Sequence, residues 1–231
     1  ALTATSSSVD LYATGAVTQT AAITASGLGL HGTGSFTLNN TGNTVGTLAA
    51  GDATTKVGNL SFTNAGALSV DTVTSPSFTT TGITSTGTVL VETLSGDLAI
   101  NQNISTTNAT ASAVLFNAGK STAVGTTTGG NILITGPPTI TAAAGGTIRL
   151  MSGSVSGSTG LTSLVGAGTG RFRYNSDETS TNYTQALGLN VINAIYREQP
   201  TATANIDSFT VTYGYDHTTT LNNFKDRKSV V

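Results

Sequence analysis

The residues that first suggest chemistry are glycines. Gly27, Gly29 and Gly32 have the G-x-G-x-x-G spacing of a dinucleotide-binding turn, and Asp52 follows about 20 residues on. That turn needs a helix to open at the last glycine, so that the helix N-terminus receives the pyrophosphate. Here Gly32 runs into Thr33-Gly34-Ser35-Phe36-Thr37-Leu38, a turn followed by a strand pattern, so the spacing is read as coincidence. His31 and His217 are the two histidines. They are too far apart to suggest a metal pair and are read as surface or packing residues. No G-x-S-x-G elbow, no H-E-x-x-H pair and no calcium-binding G-G-x-G-x-D repeat occurs. A polysaccharide-cleaving site needs carboxylates or basic groups converging on one groove. The candidates Asp52, Asp71, Glu92 and Asp97 are single and scattered, and read as turn, cap or solvated-face positions. The expectation is of no catalytic activity, no cofactor and no metal.

A denser set of polar and aromatic groups lies late in the chain. Arg171, Arg173, Asp177, Glu178, Arg197 and Glu198 are interleaved with Phe172, Tyr174 and Tyr196. Such a cluster can hold a ligand. It equally suits the end of a strand stack, where unpaired N–H and C=O groups and a cross-section of apolar core must be covered. Capping or subunit contact is therefore the reading for Arg171, Phe172, Arg173, Tyr174, Tyr196, Arg197 and Glu198. The alternating Phe209, Val211 and Tyr213 join them as a second contact strand.

The elements that position these groups follow from an unusual composition. Charged residues make up 9% of the 231 residues, against about 25% in an ordinary domain. There are 28 glycines, 4 prolines, no cysteine and no tryptophan. Without cysteine, disulfides, thiolate zinc sites and thiol nucleophiles are excluded. A net charge of −2 argues against nucleic acid as a partner, which needs clustered Lys and Arg. No apolar run approaches the ~20 residues of a membrane span. Disorder usually pairs low hydrophobicity with high net charge, and the second is missing. The chain should fold around a thin core.

Helix formers are rare and Thr, Val, Ile, Ser and Gly abundant. Short alternating runs recur at 35–38, 60–63, 67–70, 89–91, 97–100, 132–134 and 147–150, each bounded by turn residues. The segments 57–62, 95–100 and 129–134 all read Gly, then Asn or Asp, then apolar-x-apolar. Each is followed by a second strand, at 67–70, 113–116 and 147–150. Self-similarity at roughly 20–40 residues without helix implies a solenoid of short strands. The expected fold is all-β, a right-handed parallel β-helix over 1–170. Small apolar side chains would fill its inside, Thr, Ser and Asn its outer faces, and Gly and Asn the φ > 0 corners. The Thr79–Thr81 and Thr126–Thr128 runs suggest hydroxyl ladders, without the regular spacing of an ice-binding face.

The chain is not uniform. Of nine basic and eleven acidic residues, only Asp10, Asp52, Lys56, Asp71, Glu92, Asp97, Lys120 and Arg149 precede 171. The aromatics shift the same way. A boundary near 166–170 is expected, then a junction or cap over 171–200 and a strand segment over 201–231.

At this boundary the residues become specific. The run from Leu150-Met151-Ser152-Gly153 to Gly160-Leu161 leads into Gly170-Arg171-Phe172-Arg173-Tyr174-Asn175, and later comes Tyr196-Arg197-Glu198-Gln199-Pro200. Together with Ser95-Gly96-Asp97-Leu98-Ala99-Ile100 they resemble the end of the repeat region in filamentous-haemagglutinin-like exoproteins. These are large bacterial surface adhesins secreted by the two-partner route. The resemblance implies a β-helical shaft at the cell surface, extracellular and adhesive, or the subunit of a biofilm-matrix fibre. In that family the Tyr-Arg-Glu-Gln-Pro segment leads into small β modules whose first strand ends in Thr-Tyr-Gly, as in Phe209-Thr210-Val211-Thr212-Tyr213-Gly214. The family's secretion domain is not recognisable, and no signal peptide opens the chain, which implies a mature product or a fragment. A lone strand cannot bury itself. Either the tail folds on its own last coil, or it adds a strand to a neighbouring copy. The expected partners are thus other copies of this chain, with cell-surface or matrix polysaccharide beside them. A carbohydrate-binding or carbohydrate-active module is the alternative function, and it would show itself by exposed aromatic residues.

Overall fold

The computed structural model describes residues 1–201. The contact strand expected at Phe209, Val211 and Tyr213, and His217, lie outside the described residues. Ala1–Gln199 form one compact unit, and it is almost entirely β. In chain order come β1 (Leu2–Tyr12), β2 (Val17–Thr18), β3 (Ile23–His31), β4 (Phe36–Leu38), β5 (Thr44–Ala50) and β6 (Leu60–Asn64). Then follow β7 (Leu68–Val70), the pair β8 (Thr72–Thr74) and β9 (Thr79–Thr81), β10 (Ile83–Ser85) and β11 (Val89–Thr93). Next are β12 (Leu98–Ile100), β13 (Ile104–Thr106), β14 (Val114–Ala118), β15 (Ile132–Ile134), β16 (Ile140–Thr141) and β17 (Ile148–Ser152). A short helix α1 (Leu161–Val165), β18 (Phe172–Arg173) and β19 (Ile192–Tyr196) close the unit.

The chain visits two large sheets in turn. One runs β2-β4-β6-β11-β14-β17-β19-β18. The other begins β1-β3-β5 and divides at β5, one arm continuing β7-β12-β15 and the other β10-β13-β16. Strand pairs in both sheets are parallel, joined across roughly 20–45 residues of chain, and among the described strands only β8–β9 is an antiparallel pair.

Register explains why so little charge suffices. In the first sheet Val17, Phe36, Leu60, Val89, Val114, Ile148 and Ile192 are direct partners in one column. Leu38, Phe62, Val91, Phe116, Leu150 and Ala194 make the next, and all six are buried. Two-residue periodicity sends the intervening Thr37, Ser61, Leu90, Leu115 and Arg149 to the other side. The strands are short, but each is covered above and below, so backbone ladders and apolar columns stabilise one another.

The corners depart from expectation in one respect. Glycines do take φ > 0 there, as at Gly32, Gly51, Gly82 and Gly96, and so do Asn175 and Asn190. Most buried asparagines act instead through their side chains. Asn64 accepts from Val45 N (2.9 Å) and donates to the carbonyls of Val45, Gly66 and Ala67. Asn43 and Asn193 do the same for their own bends. Each amide satisfies main-chain groups that a turning strand leaves unpaired.

The repeat is also one face out of step with the sequence reading. Segments 95–100 and 129–134 are indeed equivalent, because β12 pairs β15 with Leu98 opposite Ile132. Segment 57–62 is not their equivalent. Its strand β6 lies in the other sheet, with Leu60 opposite Val89, and the neighbour of β12 is β7. Strands of both large sheets use the same small-polar-apolar-x-apolar phrase, as β6 and β12 do, since each starts at a corner and points in, out, in. Local pattern therefore cannot say which face a strand occupies.

The compositional boundary at 166–170 does not interrupt the sheet, because β19 pairs directly with β17. The helix α1 was hidden by its glycine borders Gly160 and Gly166, although Leu161, Leu164 and Val165 have helical spacing. Leu161 and Val165 are buried against the last apolar column. Among the described residues no helix is long and apolar enough to cross a membrane.

Candidate functional site

The late cluster is built on β18, β19 and the loops between 119 and 131 and between 174 and 187. Tyr196 ends β19 pointing inward, opposite Ser152, and is fully buried. Phe172 and Tyr174 lie parallel to its ring at 6.4 and 5.5 Å. This three-ring stack covers the end of the apolar columns. Burial pushes the Tyr196 phenol up to about 12, against the opposing effect of Thr162. Its hydroxyl makes no hydrogen bond of normal geometry, so Thr162 lies near it without satisfying it. Burial and the Glu198 carboxylate also raise Tyr174.

Arg197 follows at 1% exposure. Its guanidinium donates to Ala118 O (2.6 Å), Gly130 O (2.8 Å) and Thr128 O (3.3 Å), the two ends of the 119–131 loop. Gly125 N donates back to Arg197 O. Burial lowers the Arg197 pKa, and the charges of Glu178 and Asp177 oppose that. The two acids hold the same loop from outside. Asp177 accepts from Val124 N (2.9 Å), and Glu178 from Ser121 N (2.6 Å) and Asn117 Nδ2 (3.3 Å). Burial works against the Asp177 carboxylate. The Thr179 hydroxyl and the N–H groups of Thr179, Ser180 and Val124 nevertheless keep its pKa below the ordinary value.

Arg173 organises the second loop in the same manner. It is 5% exposed and donates to the carbonyls of Gly170, Phe172, Gln185 and Ala186, with its guanidinium 5.5 Å from the centre of the Tyr183 ring. Glu198 accepts from Val155 N (2.7 Å). Of the residues singled out from sequence, then, Phe172, Arg173, Tyr174, Tyr196, Arg197 and Glu198 come together, and their partners are the protein's own loops. Arg171 is half-buried, on the chain just before β18.

The scattered carboxylates stay apart in function. Asp52 caps its own turn, held down by the N–H groups of Thr55 and Thr54. Asp71 accepts from Asn101 and Gln102. Glu92 is buried against Lys120 Nζ (2.6 Å), and Asp97 accepts from Asn131 N. Among the described residues no three metal-binding side chains gather. Gly32 opens no helix. It turns a corner at φ 83° into β4.

Sequence reading underrated one place. His31, 7% exposed, ends β3 with its Nε2 3.0 Å from Asp10 Oδ1. The β8–β9 hairpin folds across β3 and β5. It sets the Phe78 ring 4.2 Å from the imidazole and the Thr80 hydroxyl 3.3 Å from Nδ1. Gly29 makes this possible, since a Cβ there would overlap the Asp10 carboxylate. The signal was the alternation Gly27-x-Gly29 inside a strand, which marks a close approach rather than a phosphate turn.

Comparison of the chain with protein-family models, with curated proteins and with solved structures finds no match.

Proposed function

We propose that this protein is a structural and adhesive component of the bacterial surface, a right-handed parallel β-helical shaft that works outside the cell. The observation carrying the proposal is the unbroken parallel register from β2 to β19, with one apolar column from Val17 to Ile192 and a second from Leu38 to Ala194. Right-handedness rests on the strong general preference of parallel crossover connections. The late cluster favours a cap, because Arg173 and Arg197 are spent on the protein's own carbonyls. A rod of stacked coils without a convergent polar groove suits extension and attachment better than turnover of a substrate.

Within this reading the shaft assembles end to end into matrix fibres. The alternating Phe209, Val211 and Tyr213 are the strand donated to a neighbouring copy. Electron microscopy of the purified full chain tests it. Filaments with a fixed axial repeat, lost when the chain is ended at residue 200, are the expected result. Short monomeric rods at every concentration would end the fibre reading while leaving the shaft in place. A globular particle would end both.

A further inference from the structure

We propose that Tyr12, Phe78 and Asp10 form a binding site for a neutral polysaccharide. The inference needs only the local geometry around His31 and does not rest on the shaft reading.

The argument begins with exposure. Of the thirteen aromatic residues (7 Phe and 6 Tyr), the two large ones exposed among the described residues are Tyr12 at 66% and Phe78 at 43%. Both border His31. Tyr12 is its direct partner across β1 and β3, roughly 5 Å away strand to strand. Phe78 lies against its ring, tilted by 30° with the centroids 4.2 Å apart. Asp10, two residues before Tyr12, shares Tyr12's face of the strand. The other seven aromatics among the described residues are buried or half-buried in columns, caps and loops, so folding does not account for the exposure of these two.

The site is also prearranged. The β8–β9 hairpin is the one antiparallel strand pair among the described residues, an excursion from the stacking that presents Phe78 at its turn. His31 fixes that turn from beneath, through the ring contact and Thr80. Asp10 spends Oδ1 on His31, while its Oδ2 accepts no hydrogen bond from the described residues. A flat aromatic ring offers a stacking surface for the C–H face of a pyranose. A fixed carboxylate oxygen beside it takes a sugar hydroxyl. The Asp10 carboxylate disfavours anionic ligands. No lysine or arginine is among these residues to hold a phosphate. A neutral chain of hexoses meets all of these conditions.

The test uses the full chain and three neutral probes, cellohexaose, maltohexaose and chitohexaose, followed by saturation-transfer NMR. Transfer to at least one of them is expected, with Tyr12→Ala weakening its binding about five- to tenfold. Phe78→Ala should act similarly, and Leu189→Ala, an exposed change elsewhere, should not. Tyr12 is the deciding position, because so exposed a side chain can be removed without unfolding; an unchanged thermal midpoint checks this. No transfer to any of the three sugars overturns the proposal. So does binding that Tyr12→Ala leaves intact.

Discussion

Replacing Arg197 by alanine tests the account of the late cluster most directly. The side chain is 1% exposed and spans two loop ends with three hydrogen bonds, to Ala118 O, Thr128 O and Gly130 O. Each charge-assisted bond contributes about 1.5–3 kcal/mol, offset in part by the cost of keeping the guanidinium out of water. The variant regains that solvation cost, but leaves three carbonyls without their donor and removes the charge facing Asp177 and Glu178. The expected net loss is about 3–5 kcal/mol, the usual result of removing one member of a buried charged network. Arg197→Lys keeps the charge but not the fork that reaches both loop ends, and should lose roughly half as much. Urea unfolding followed by circular dichroism reads the loss. Hydrogen exchange locates it, since the amides of Ser121, Val124 and Gly125 should lose protection first. A variant within about 1 kcal/mol of the parent, with unchanged exchange in 119–131, would refute the claim that Arg197 pins this loop.

Three further outcomes are expected. Phe116→Ala, in the middle of a fully buried column, should cost about 3–5 kcal/mol in the same unfolding assay. The Asp177 carboxylate has a folded pKa below its ordinary 3.8. Its contribution is present above that value and fades as pH falls below it, so acid titration followed by exchange should loosen Val124 and Ser180 before the central strands. Tyr196 is shifted the other way, from 10.0 to about 12. Its stabilisation is complete below pH 10 and lost between about 10 and 12, and phenolate absorbance should show one tyrosine ionising with unfolding and not before it.

The strands and their turns were largely readable from the sequence. The runs at 60–63, 89–91, 97–100 and 132–134 lie at β6, β11, β12 and β15, because a strand buried on one side writes its alternation into four residues. Which sheet each strand joins was not readable, as Leu60 and Leu98 show. That choice depends on how the chain turns at the corners, and the same short phrase serves strands of both large sheets. The long strands β3 and β5 were missed for a related reason. They bend across a corner and contain Gly27, Gly29 and Gly46, so their apolar residues do not alternate cleanly. In the late cluster the residue types were legible and their targets were not. Arginines next to acids suggest ion pairs, whereas Arg173 and Arg197 bind main-chain carbonyls that no sequence pattern marks. His31 reads from the sequence only as a surface or packing residue, because its partners Asp10 and Thr80 come from opposite directions along the chain.

The hairpin after β7 and the loop after β14 leave the stack and return without disturbing it. Leu68 still meets Leu98, and Val114 still meets Ile148. Alignment is carried by the backbone ladders and inward columns, so an excursion between them is free to change in length and character. A molecule built this way separates what it presents from what keeps it folded. Its excursions can be rewritten one by one, by evolution or by an engineer grafting a loop, while ladders and columns preserve the spacing between whatever is displayed.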